Sequence, residues 1–412
     1  MTSSRILTLI IIFVIYGLFE LYVFSGLRYT FKNPLGHKVL MGLYYFSLLV
    51  FVIGIITLFS YFSNGYSQSS WWPNLVIGLN VTFFFTKLFY VLLLLFIDLE
   101  SLVSFIASRF AEQPLPSPQR RKVLKQIGVL AAALPFSAYL YGVLKGRYDY
   151  RIHRLTLKFP DLPTAFNGFK IVQISDVHSG SFDNYAAVKK GIDKIQQQRP
   201  DLILFTGDMI NNLAEEIEPY ISLFSGLQAP HGKYAVLGNH DYGEYVSWDS
   251  PEAKEQNLEK LKGHHQSMGF ELLNNTQVAL KQGNETIKLV GVENWGKKPF
   301  PQKGDLKKAF AQSQPNDFSI LMSHDPSHWD LQVLDFPQKV HLTLSGHTHG
   351  MQMGVEIPGF RWSPVKYRYP RWAGLYQKAE QYLYVNRGFG FIGFPGRVGI
   401  WPEITVIELQ KA

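Results

Sequence analysis

Apolar residues fall into two regimes along the chain. Through about residue 145 they run almost unbroken, from about Ile6 to Phe24, Val39 to Phe62, Leu75 to Ile97 and Ile127 to Leu144. At about 1.5 Å per residue the first three can cross a hydrocarbon core of ~30 Å. The fourth is shorter and carries Pro135. Runs this dense leave little polar surface for water to cover, so about four transmembrane helices are expected. From Leu155 the period changes. Short apolar runs alternate with helical stretches at Asn184–Gln198, Ala214–Leu227 and Pro251–Met268, a mixed α/β pattern. Several of the strands lie too close together for βαβ crossovers alone. The reading divides the chain into a transmembrane domain, 1–147, and a second domain, 148–412. Linkers are expected at Ala111–Gln119, with Pro114, Pro116 and Pro118, and at Lys145–Arg154.

Charge sharpens this division. The formal net charge of +8 divides into 12 Lys/Arg against 5 Asp/Glu through residue 150 and 28 against 27 after it. A nearly neutral second domain argues against a nuclease, because polyanion binding needs a clustered basic face. Between the first two runs lie Arg28, Lys32 and Lys38; between the third and fourth lie Arg109, Arg120, Arg121, Lys122 and Lys125. Ser63–Asn74 holds no charged residue. The positive-inside rule then places both basic segments in the cytoplasm and residues 148–412 outside the cytoplasmic membrane. The stretch Gln119–Lys125, followed by the moderately apolar fourth run, resembles a twin-arginine export signal, although such signals usually begin a chain. Lys87 falls near the middle of the third run. Pairing with Glu20 would join residues whose estimated depths differ by more than a helical turn, which favours snorkelling or a shifted boundary. No cysteine occurs, so neither disulfides nor thiolate metal sites arise.

Five short clusters of metal-binding side chains follow apolar runs in the second domain. They are Asp176-Val-His178, Gly207-Asp208, Gly238-Asn239-His240-Asp241, Ser323-His324-Asp325 and Gly346-His347-Thr348-His349. Any one Asp could be a turn cap. All five, each at the end of an expected strand, describe a site on the edge of a sheet. Carboxylates, imidazoles and an amide oxygen suit Mn, Fe or Zn. The set is too large for one four-coordinate ion and sufficient for two that share a bridging carboxylate. Such a pair can activate water for attack on a phosphate ester.

The order D-x-H, G-D, G-N-H-D, H, G-H-x-H resembles the calcineurin-like metallophosphoesterases over roughly residues 165–410. The resemblance implies a β-sandwich flanked by helices with the metals at the strand ends. It also implies that Asp176, His178 and His349 hold one ion, that Asn239, His324 and His347 hold the other, and that Asp208 bridges them. His240 would be the proton donor to the leaving oxygen, oriented by Asp241. The closing segments, Tyr384–Gly390 and Gly399–Thr405, resemble the bacterial membrane-linked branch. That branch usually has a Gly-Thr-Ser-like turn where this chain has Gly390-Phe391-Ile392-Gly393, a departure expected to bear on substrate fit and not on the metals.

Among the other histidines, His37, His153, His231, His264 and His265 read as structural or surface residues, while His328 and His341 flank the site motifs. Phe360–Trp372 mixes Trp and Tyr with Arg and Lys, which suits a membrane interface or lipid phosphate headgroup as well as it suits a packed loop. Three functions fit. The first is a membrane-anchored enzyme acting on lipid-linked or envelope phosphate mono- or diesters. The second is the same chemistry on soluble extracytoplasmic esters, and the third is a membrane sensor without turnover.

Overall fold

A computed structural model describes residues 3–28, 30–31, 33–63, 70–111 and 118–412. The chain forms two compact units, residues 1–67 with 75–141, and residues 68–74 with 142–412. Half of the uncharged Ser63–Asn74 segment and most of the Ala111–Gln119 linker lie outside the described residues.

The first unit is helical, with α1 (Ser3–Leu27), α2 (Pro34–Ser63), α3 (Trp71–Ala111) and α4 (Pro118–Leu144). All four are long and apolar enough to cross a membrane. Their inner faces meet at Val23, Tyr44, Tyr90, Leu94 and Ala132. Outer side chains such as Ile15, Leu92 and Phe96 stay exposed, as a lipid-facing surface requires. Every helix is longer than its apolar run, and α3 exceeds its run most. At 41 residues it spans about 60 Å, twice the hydrocarbon thickness. Its polar extension carries Asp98 and Glu100, which bind Arg121 at 2.5 Å and Arg120 at 2.7 Å. Gln126 in α4 donates to the Thr30 carbonyl at 2.8 Å, so the α1–α2 connection and the start of α4 lie at the same end of the bundle.

Lys87 does not snorkel. Its ammonium lies 2.7 Å from Glu20 Oε1, with both side chains buried. The apolar runs end at Phe24 and Ile97, but α1 continues only to Leu27 whereas α3 continues to Ala111, so the run ends are not a common reference for depth. In a low-dielectric interior either charge alone is costly, whereas the pair satisfies both.

The second unit is a sandwich of two six-stranded sheets. One sheet runs β1 (Arg151–Phe159), β14 (Glu403–Lys411), β2 (Lys170–Ile174), β3 (Leu202–Phe205), β4 (Lys233–Ala235), β5 (Glu271–Leu272). The other runs β12 (Gly374–Lys378), β13 (Gln381–Val385), β9 (Leu342–Ser345), β8 (Ser319–Met322), β7 (Glu285–Gly291), β6 (Thr276–Gln282). A separate hairpin joins β10 (Val355–Ile357) to β11 (Phe360–Trp362). The central strands β3, β8 and β9 are buried at every position; β3 therefore appears as an unbroken apolar run, whereas in β9 buried Thr343 and Ser345 alternate with Leu342 and Leu344. Ile171, Leu204, Leu289, Ile320 and Leu344 fill the space between the sheets.

Helices cover both outer faces. On the first sheet lie α5 (Tyr185–Gln196) and α7 (Pro251–Ser267), capped by the side chains of Asn184 and Ser250. The expected helix at Ala214–Leu227 is instead a 3-10 segment, Ala214–Tyr220, followed by α6 (Ile221–Ser225). Pro219, which has no amide hydrogen to donate, sits at the end of the tighter piece. On the second sheet lie α8 (Leu306–Ala309) and the π-turn Trp329–Val333. Strands β2, β3 and β4 are mutually parallel, as are β7, β8 and β9, so within each sheet the loops after them leave from one edge.

The Lys87–Glu20 pair predicts an asymmetric mutational response. Lys87→Leu should destabilise the detergent-solubilised protein by about 3–5 kcal/mol, while Lys87→Leu with Glu20→Leu should recover most of that loss. Melting temperatures check this, and a single variant as stable as the parent would show that the pair does not form.

Candidate metal centre

Left-handed backbone turns set this centre. Asp176 (φ 53°), His178 (φ 47°), Asp208 (φ 61°), His347 (φ 71°) and His349 (φ 50°) all occupy the left-handed region. Each costs on the order of 1–2 kcal/mol for a residue with a Cβ, so the surroundings must hold them there. They do so through backbone bonds between neighbouring loops. Asp176 N–H donates to Gly207 O at 2.8 Å, His178 N–H to Asp208 O at 3.2 Å and Gly346 N–H to His324 O at 2.9 Å. Gly207 itself (φ 100°) must be glycine, because a Cβ there would lie 2.6 Å from Gly238 N and 2.8 Å from His324 Nδ1.

Two groups of side chains result. Asp176, His178 and His349 converge in one, and Asp208, His324 and His347 in the other. Asn239 joins the second, its Oδ1 lying 2.8 Å from His347 Nδ1. Asp208 stands between them. Its Oδ1 accepts from the His240 amide at 2.8 Å, while its Oδ2 faces His324 Nε2 at 3.1 Å and His178 Nε2 at 3.6 Å.

The donor set fits divalent cations. His324 Nδ1 lies 2.8 Å from Thr206 O; donating there leaves its Nε2 lone pair turned inward. The buried Nε2 atoms of His324 and His349 have no hydrogen-bond partner, although each faces a carboxylate oxygen. Imidazole and carboxylate atoms directed at shared points are what the ligand shell of a divalent cation requires. Burial keeps His178, His347 and His349 below the ordinary imidazole range, so they are neutral at pH 7. Burial alone would raise Asp208, but His324, His240 and His178 hold it well below the usual carboxylate range. Burial also opposes charge on His324, yet Asp208 raises it to about 10, so in this arrangement a proton supplies the positive charge. A cation would displace that proton.

Asp241, expected to orient His240, is bonded to backbone amides and not to the His240 ring. Its carboxylate accepts from the backbone amides of Gly238 (2.8 Å), Asp208 (2.9 Å) and Met209 (2.8 Å). The imidazole of His240 is held through Nδ1, 2.8 Å from the Asn211 carbonyl oxygen. Asp241 follows His240 in a 3-10 turn, which carries its side chain away from the neighbouring ring and under the loop after β3. Burial, reinforced by nearby Asp208, raises the Asp241 carboxyl to about 7.

Other residues enter through tertiary contacts. Tyr369 Oη lies 2.7 Å from His347 Nε2, and Tyr245 Oη accepts from Asn239 Nδ2 at 2.8 Å. Arg397 is fully buried; it reaches His349 O and Nδ1 at 3.1 Å and donates to the Arg387 carbonyl at 2.7 Å. Its sequence neighbours gave no signal of this. The Gly390–Gly393 turn supports the metal loop directly, since Gly390 N–H donates to Asp176 O at 2.9 Å. His328 braces the His324 loop, its Nδ1 lying 2.8 Å from Ser323 Oγ. His341 points elsewhere, to Ser319 and Asp161. His265 is a core residue between Phe205 and Phe270, and burial lowers it to about 3.

Known proteins match this arrangement. Residues 4–147 match the transmembrane domain described for probable calcineurin-like phosphoesterases, and residues 169–351 match the calcineurin-like phosphoesterase domain. The chain is 33% identical over 299 residues to the metallophosphoesterase YkuE of Bacillus subtilis (strain 168), covering 71% of this chain and 98% of that protein. It is 31% identical over 286 residues to the UDP-2,3-diacylglucosamine pyrophosphatase LpxG of Chlamydia muridarum, covering 58% and 83%. Against the phosphodiesterase YaeI of Escherichia coli (strain K12) it is 28% identical over 299 residues, covering 70% and 98%. With four membrane-spanning-capable helices ahead of a sandwich that gathers two potential metal-binding groups at its edge, the chain belongs to the calcineurin-like metallophosphoesterases, hydrolases of phosphoric esters that use divalent metals.

Proposed function

We propose that this membrane metallophosphoesterase hydrolyses a phosphate mono- or diester, or diphosphate, of a lipid-linked or envelope substrate at a two-metal centre. The carrying observation is the position of Asp208, whose single Oδ2 faces an imidazole from each group. Asp176, His178 and His349 would hold one ion, Asn239, His324 and His347 the other, with Asp208 shared. Two such ions, of Mn, Fe or Zn, supply activated water and positive charge for the phosphoryl oxygens.

The chain's own groups do the rest. His240 gives a proton to the leaving oxygen from Nε2, while the Asn211 carbonyl fixes the ring through Nδ1. Asp241 acts as a positioning residue, since the amides it accepts from belong to both the Asp208 and Asn239 loops. A lipid-linked substrate is supported by the four helices and by the LpxG relative, whose substrate is a lipid-bearing nucleotide diphosphate. An extracytoplasmic centre is supported by Arg28 and Lys38, with Arg120, Arg121, Lys122 and Lys125, which flank connections at one end of the bundle. The domains are taken as 1–147 and 148–412.

Asp208→Asn should remove both ions and essentially all activity, because the shared carboxylate sets both sites. Metal analysis of the parent protein reads the stoichiometry directly, and one ion per chain at saturation excludes a shared centre. His240→Ala should keep both ions and lose about 10²–10⁴ in rate, with a smaller loss for a nitrophenolate leaving group that needs no proton. Equal losses for good and poor leaving groups would remove His240 from the donor role. Protease added to intact spheroplasts should digest residues 148–412; protection until lysis would place the centre in the cytoplasm.

A further inference from the structure

The hairpin β10–β11 belongs to neither sheet, and its amphipathic order is inverted. Its register pairs Val355 with Trp362 and Ile357 with Phe360, so these four side chains share one face. Glu356 and Arg361 pair on the other. In a hairpin packed on a protein the apolar face would be turned inward. Here the polar face is anchored, with Glu356 accepting from Arg387 at 2.6 and 3.0 Å and Arg361 lying over the Trp372 ring at 5.3 Å. The apolar face is left outside. Ile357 is 58% exposed and Phe360 54%, on either side of a Pro358-Gly359 tip. Beside them Tyr367 is 78% exposed, and the basic side chains of Lys366 and Arg368 are also at the surface.

We infer that this hairpin inserts its tip into the interfacial region of the lipid bilayer. A lipid surface fits the chemistry better than a protein partner. The apolar tip is small enough to enter between acyl chains, while the neighbouring Tyr, Lys and Arg suit the headgroup level and anionic lipid. Within its own unit the hairpin is also tied to the start of that unit's long segment. Gly142, the first residue of the catalytic unit's long segment, accepts at its carbonyl from the Arg397 amide at 3.2 Å. Val398 continues that strip, exchanging backbone bonds with Gln352 (2.8 Å) and Gly354 (2.9 Å) immediately before β10. His349 lies on the same short path. A tip seated in lipid would therefore hold the candidate metal centre close to a phosphate borne at the membrane surface, a consequence that rests on the lipid-linked reading above, whereas insertion itself does not.

The full chain has no cysteine, so a single label is clean. Ile357→Cys carrying an environment-sensitive fluorophore, with the protein reconstituted in phosphatidylcholine–phosphatidylglycerol vesicles, should be quenched by lipids bearing a nitroxide near the headgroup. The exposed Lys307→Cys control should not be. Free access of an aqueous quencher to the label at 357 overturns insertion. So does a label shielded from both aqueous and lipid quenchers, which would assign the face to a second copy or a protein partner. In the second arm, Ile357→Asp with Phe360→Asp should lower the rate on a vesicle-borne phosphodiester about tenfold and leave a soluble nitrophenyl diester unchanged. Equal loss on both substrates would overturn the link to lipid-borne substrate, with insertion still decided by quenching. Quenching also proceeds if no phosphoester is hydrolysed, which keeps a failure of the enzymatic reading distinguishable.

Discussion

The buried carboxylates of Asp176, Asp208 and Asp241 lie within one cluster, and the surrounding structure has to compensate them. In a low-dielectric interior no such charge persists without close partners. Each is met differently. Asp241 is satisfied by backbone amides from two loops. Asp176 accepts from the His347 amide at 2.9 and 3.0 Å and faces the His349 imidazole at 3.2 Å. Asp208 spends one oxygen on the His240 amide and turns the other toward imidazoles of both groups. That last oxygen is the one left over from backbone bonding, and it is where a cation has most to offer.

The left-handed turns follow from the same requirement. A loop leaving a parallel strand must reverse direction at once if its side chain is to face back across the sheet edge. A residue in the left-handed region achieves this in one step. Both sheets have a parallel core, and each group draws on both: Asp176 and His178 follow β2 while His349 follows β9, and Asp208 follows β3 while His324 and His347 follow β8 and β9. Strain at Asp176, His178, Asp208, His347 and His349 is held by amide–carbonyl bonds between loops that are remote in sequence. Preorganisation of this kind means that binding a cation does not require the loops to be ordered first.

Burial of charge also governs the helical unit. Lys87 and Glu20 are tolerated because they meet, and Asp98 and Glu100 are tolerated because α3 carries them beyond the apolar run to Arg121 and Arg120. The hairpin β10–β11 obeys the converse rule: apolar side chains left on an outer face call for an apolar environment. Desolvation thus links the candidate metal centre, the bundle and the exposed hairpin, although each solves it with different partners.

Much of this was legible in the chain. Composition and run length determined the helical unit. Residue types at the ends of apolar runs, with the family resemblance, supplied the site residues that the fold brings together. What could not be read was which atom each side chain would meet. The bond from His347 N–H to Asp176 joins residues 171 apart, and the contact of Tyr369 with His347 depends on a loop in no regular register with it. Asp241 adjoins His240 in sequence, and the family resemblance implied a partnership; the 3-10 turn sends the two side chains to different loops. Buried Arg397, the Gly390 support of Asp176 and the depth match of Lys87 with Glu20 were invisible for the same reason. Local sequence sets which groups are available and on which element they ride. Their partners within about 3 Å are set by strand register, turn handedness and helix length together, and these exist only once the tertiary structure has formed.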